Sequence, residues 1–144
     1  MHPALLKQAA EPPLNSGGCI KFDLKAWSKE LHIALCGVSN EQTMENFRLL
    51  ADYMRKRPSP QFLVASTLLV PGYIDKAEVA GIASFICSLS PDIPYALLAF
   101  HFQFTMNDLP PTSRRHAQEY LAEANARGLR NVRLGNIHLI GDYY

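Results

Sequence analysis

Short apolar runs that alternate with amphipathic helical patterns constrain this chain most. Ile20–Leu24 (IKFDL), Phe62–Val70 (FLVASTLLV), Tyr95–Phe100 (YALLAF) and the weaker Asn131–Leu134 (NVRL) read as strands. The second run is apolar enough for a strand covered on both faces. Between the runs lie helical patterns. Ser28–Leu35 is stopped by Gly37, and Ser39-Asn40-Glu41-Gln42 has the spacing of a capping box. The helix it opens puts Met44, Phe47, Leu50 and Met54 on one face, carries Arg55–Arg57 at its end, and stops at Pro58 and Pro60. Asp75 caps a helix with the stripe Val79, Ile82, Ile86 and Leu89. A last helix runs from Thr112 or Ser113 to Ala126, before Gly128.

The order is therefore β, α, β, α, β, α, β. It implies right-handed crossovers and an α/β fold with about four parallel strands and outer helices. Such a sheet is either small and open or part of a barrel, and its two edges invite pairing with another chain. Residues 1–18 hold a short helical piece, Ala4–Ala10, then Pro12-Pro13 and Gly17-Gly18, and read as the tail of a preceding βα unit. We expect one domain over residues 1–144, a length that supports a real core.

A formal net charge of +1 gives no electrostatic case for nucleic acid or an anionic membrane. No apolar run approaches a membrane span, and the first residues lack the apolar core of a signal peptide, so a cytoplasmic location is expected. Cys19, Cys36 and Cys87 lie too far apart for a zinc knuckle or a CxxC pair and read as small buried apolar residues. Phosphate-binding glycine loops and the common hydrolase motifs are absent from the sequence.

In a parallel sheet, chemistry gathers on the rim at the carboxyl ends of the strands. The polar residues there are Asp23 and Lys25 after the first strand, Ser66 and Thr67 in the second, His101 after the third and Asn136 after the fourth. Together they could bind a polar small molecule. Each also has a plainer role open to it: Asp23 as a helix cap, Lys25 as a solvated lysine, His101 as a hydrogen-bonded structural residue. Trp27 reads as a packing anchor. His2, His32, His116 and His138 read as surface or packing residues, and Arg114-Arg115 as a solvated pair.

Four segments, in order, resemble the C-terminal half of radical S-adenosylmethionine (SAM) enzymes of the pyruvate formate-lyase activating enzyme branch. They are GGCIKFDLKAWSKELHIALCG with its Asp23-Leu24-Lys25, TLLVPGYID with Val70-Pro71-Gly72, IPYALLAFH ending in His101, and GLRNVRLGN. The likeness runs over about residues 14–140. It implies an incomplete (β/α) barrel with SAM along its rim. On that resemblance Lys25 contacts the ribose or methionine part and Asp23 organises the site. His101 lies near the adenosine, and Thr67–Val70 line the adenine side. The branch's C-x3-C-x2-C motif for a [4Fe-4S] cluster is absent from this sequence, as is its glycine-rich segment, and Phe102 stands where relatives carry proline. Without thiolate ligands a cluster is not held, so the expectation is a protein inactive alone. Its expected partner is either the missing N-terminal half or another copy met through a sheet edge. Two other readings stay open: a non-catalytic interaction module, and a small lyase that uses Lys25 as an imine former.

Overall fold

The computed structural model describes residues 1–102 and 106–144. Four strands, β1 (Ile20–Asp23), β2 (Leu63–Leu69), β3 (Tyr95–Ala99) and β4 (Val132–Gly135), form one parallel sheet in the order β1-β2-β3-β4. Helix α1 (Pro3–Ser16) precedes β1. Helices α2 (Lys29–Cys36) and α3 (Glu41–Met54) link β1 to β2, α4 (Lys76–Leu89) links β2 to β3, and α5 (Arg114–Ala126) links β3 to β4. A short 3₁₀ turn, Ile137–Leu139, follows β4.

A strand order that never reverses has a consequence. Right-handed crossovers that always step the same way put every helix on one face of the sheet. Ile20 and Phe22, Ala65 and Thr67, Tyr95 and Leu97, and Val132 and Leu134 alternate onto that face. There Phe47 and Leu50 of α3 and Val79, Ile82 and Ile86 of α4 complete the core. Phe47 is fully buried and meets Phe22 edge-on at 5.5 Å between ring centroids, a packing worth about 2–3 kcal/mol for the ring alone.

The opposite face carries Lys21 and Asp23, Val64, Ser66 and Leu68, Ala96 and Leu98, Arg133 and Gly135. Among the described residues no α-helix or strand lies across it, although Ser66 is buried there and the 3₁₀ turn meets its upper rim. Val64, Leu68, Ala96 and Leu98 are accordingly only half-buried. The apolar run of β2 therefore does not mark a strand covered twice: one of its faces is open. This is the geometry of a partial barrel, in which that face lines the interior.

Local chemistry explains the other departures. Helix α1 continues through Pro12 and Pro13 to Ser16 instead of stopping at Ala10. The carbonyls those prolines leave without a donor belong to Gln8 and Ala9, which are exposed and can bond water. The capping box at Ser39 does not form. Asn40 is the N-cap residue of α3, and its side chain is engaged elsewhere. Asp75 does cap α4, accepting from Glu78 N at 2.9 Å, and Ser113 caps α5, accepting from His116 N at 3.2 Å. Cys19 and Cys36 are exposed, not buried, because they sit just before β1 and at the end of α2, outside the core; Cys87 is half-buried.

Candidate functional site

The loop that leaves β1 is held from three directions. Thr67 of β2, buried on the helical face, donates its hydroxyl to the Leu24 carbonyl at 2.7 Å and accepts from Tyr95 Oη at 2.8 Å. Burial pushes the Tyr95 phenol upward, with the Thr67 bond pulling the other way, so it stays a neutral donor. Asn40 donates its amide to the carbonyls of Ala26, at 3.2 Å, and Trp27, at 2.7 Å. The Glu78 carboxylate, one turn into α4, accepts from Trp27 N at 2.5 Å and from the backbone N and hydroxyl of Ser28. Trp27 then lies over Gly81, where an added Cβ would come within 2.4 Å of the indole ring.

That frame fixes Lys25 and its neighbours on the rim. Lys25 Nζ lies 3.2 Å from Asp23 Oδ2, and Lys21 Nζ lies 3.5 Å from Asp23 Oδ1. Ser66 Oγ donates to Asp23 Oδ1 at 2.5 Å, across the paired rows of β1 and β2. Partial burial pushes the Asp23 carboxyl upward. The Ser66 hydroxyl and the charges of Lys25 and Lys21 outweigh it and hold the pKa below its ordinary value. Asp23 is thus ionised and engaged, while Lys25, about half exposed, keeps donors free for a ligand.

The other rim residues are placed differently. Val70 is buried, and its carbonyl accepts from Tyr73 N and Ile74 N, which closes the turn at Pro71-Gly72. Gly72 sits at φ +79°, where a side chain would be strained. His101 is exposed; its Nδ1 lies 3.0 Å from the Phe102 carbonyl, and the two rings stack at 4.3 Å. A cleft of about 320 Å³ opens beside it, lined by Leu68, Phe100, His101, Met106, Asn136 and Leu139 among others. Its size is at the lower end for small-molecule sites. Part of the loop His101–Pro111 lies outside the described residues.

The structure therefore brings Asp23, Lys25 and Ser66 into direct contact. His101 stands two strands away, roughly 10 Å across the sheet. Thr67 faces the helices and holds the backbone of the Lys25 loop. Ser66, on the open face, is the β2 hydroxyl that reaches the acid. The alternation of β2 with Asp23 as reference would have separated the two hydroxyls. Glu78 is a different case: it sits in the first turn of α4, and its long-range partners leave no local signal in the sequence. Cys19, Cys36 and Cys87 stand on separate elements, and the described residues hold no group of three His, Cys, Asp or Glu side chains that could hold a metal ion. These thiols do not fit an iron–sulfur cluster.

The chain is 34% identical over 102 residues to the isethionate sulfite-lyase activating enzyme of Desulfovibrio desulfuricans, covering 70% of this chain and 30% of that protein. It is 32% identical over 92 residues to the enzyme of the same name from Oleidesulfovibrio alaskensis, covering 63% of this chain and 28% of that one. The chain thus spans under a third of the length of these curated relatives. A solved domain of a pyruvate-formate lyase-activating enzyme from Bacteroides vulgatus has the same fold, with a TM-score of 0.70 at 22% identity over 90% of this chain and 74% of that one. No protein-family model matches the chain.

Proposed function

From this kinship with the pyruvate formate-lyase activating enzyme-like branch of the radical SAM superfamily, we propose that the chain is a C-terminal half-barrel that keeps part of a SAM pocket. The observation that carries the reading is the pair of activating-enzyme relatives whose similarity runs through most of this chain. The rim supports it with one fixed charged corner and one apolar cleft, which suits a ligand that is ionic at one end and aromatic at the other.

In this reading the Lys25 ammonium meets the ribose hydroxyls or the carboxylate of the methionine part. Asp23, kept ionised by Ser66 and the lysines, orients that ammonium and limits its swing. The cleft beside His101 takes the adenine, with Leu68 as an apolar wall and Asn136 as a polar one. Bound beside a reduced iron–sulfur cluster, SAM is the radical source of this family. The cysteines here do not converge, so this chain's part is to bind and orient SAM, and radical formation would require ligands from elsewhere. The protein is then inactive alone, and any target resembling the lyase named for its relatives belongs to an assembled enzyme.

Two measurements test the reading. Calorimetric titration with SAM should show saturable binding, and anaerobic treatment with iron and sulfide should leave no stoichiometric cluster on the chain. Absence of SAM binding removes the pocket; a stable [4Fe-4S] centre removes the inactivity.

A further inference from the structure

Two unpaired edges, one open face and one helix without a strand beneath it belong together. Along and just past β1, Ile20 N donates to the carbonyl of Phe62, which precedes β2, and Leu24 N to that of Ser66 in β2. In a parallel ladder the alternate residues turn their backbone groups the other way, so the N–H and C=O groups of Lys21 and Asp23 point to the free edge. No described strand pairs with them. Helix α1 lies beside this edge, packed on α3, with Asn46 Nδ2 donating to the Met1 carbonyl at 2.9 Å. Between α1 and β1 is a cleft of about 370 Å³, lined by Leu6, Ala9, Ile20, Phe22 and neighbouring residues. In a right-handed unit, the helix before β1 covers a parallel strand on the far side of β1. Here that place is a cleft.

At the other end of the sheet, β4 presents the complementary edge in the same direction. The geometry points to a second copy of this chain as the occupant, with β4 of each copy entering the cleft beside β1 of the other. A two-fold axis along the barrel makes both junctions at once and closes eight parallel strands, so no edge remains. The helices stay outside, and each α1 covers a strand from the partner copy. Val64, Leu68, Ala96 and Leu98 of both copies then face one interior.

Size favours this partner. Four strands about 4.8 Å apart and about five residues tall give an open face of roughly 19 by 17 Å. That face is roughly 320 Å² per copy, to which the two edges and their flanking helices add toward the ~800 Å² per partner of a standard interface. Closure also sets two Asp23–Lys25 corners around one mouth. None of this depends on SAM binding, so the two readings fail separately.

Sedimentation equilibrium of the whole chain tests it, with two variants. Lys21→Pro removes an outward N–H and leaves the β1–β2 ladder intact. Leu98→Glu puts a carboxylate on the open face, where a monomer would leave it in water. The expected result is a mass of twice the chain's 16.1 kDa for the wild type, and half that value for both variants with helical circular dichroism unchanged. A wild type that stays at the monomer mass up to its solubility limit overturns the proposal. So does a dimer that survives either substitution in folded form.

Discussion

Between Leu24 and Ser28 the loop after β1 has its carbonyls and N–H groups taken up by Thr67, Asn40 and Glu78, from three separate elements. Among its described residues, the loop after β3 is tied to the same rim at its base, where Phe100 N donates to Thr112 Oγ1 and Thr112 N donates to the Phe100 carbonyl. Beyond it His101 is exposed and touches its own neighbour. A ligand at this rim meets one corner held from three elements and another whose side chain, among the described residues, is held by its own neighbour alone. Pre-set donors bind without an ordering cost, whereas free ones lose rotamer entropy on binding. Affinity should therefore rest on the β1 corner.

The largest expected effect comes from removing the hub of that corner. Glu78→Ala strips a charged acceptor from two backbone N–H groups and one hydroxyl, and should cost about 2–3 kcal/mol in denaturant unfolding. Thr67→Val, which keeps the shape, leaves the buried Tyr95 hydroxyl and the Leu24 carbonyl without their partner. It should cost about 1–2 kcal/mol and also weaken SAM binding, because Lys25 follows Leu24. If Thr67→Val changed neither quantity, the β1 loop would not depend on this anchor and the contrast between the loops would collapse.

Removing the binding groups themselves should separate affinity from stability. Lys25→Ala is expected to lower SAM affinity about 10-fold, equivalent to about 1.4 kcal/mol. Its effect on stability should be within about 0.5 kcal/mol, as its ion pair is solvent-exposed. His101→Ala should change affinity less than about 3-fold and leave unfolding unaltered, since the ring has no partner outside its own loop among the described residues. An affinity loss larger for His101→Ala than for Lys25→Ala would reverse the comparison.

The smallest effect is in pH. The Asp23 pKa is depressed in the folded protein, so its pairing with Ser66 and the lysines stabilises fully above the ordinary carboxylate value of about 4. That contribution is lost as pH falls through the lower folded value. The stability difference between the wild type and Asp23→Asn should be present at neutral pH and shrink below about pH 4. A carboxyl titration followed by NMR should place Asp23 below its ordinary value, and Lys25→Ala should move it back up.

Much of the fold could be read in the sequence because its signals are local. The runs at Ile20, Phe62 and Tyr95 and the caps at Asp75 and Ser113 each act within a few residues, and the order of elements then dictates a parallel sheet. The open face could not be seen in this way, because β2 is apolar on both sides whether or not something covers it. Pro12 and Pro13 argue for a helix that ends at Ala10, yet solvent makes them tolerable and α1 runs on to Ser16. Within the site, Asp23 and Lys25 are two residues apart in sequence and their contact follows from the strand end. Ser66 and Glu78 reach that corner from 43 and 50 residues away, through a register and a helix docking that composition does not record. The resemblance implies Thr67 as a lining residue of the rim, whereas the structure gives its hydroxyl to the backbone behind Lys25.

The most direct test of the preformed β1 corner is calorimetric titration of SAM into the wild type and Lys25→Ala at the same pH and salt. The account predicts saturable binding by the wild type and about 10-fold weaker binding by the variant, with unfolding curves that superimpose. No binding by the wild type, or equal affinity of the two proteins, would contradict it.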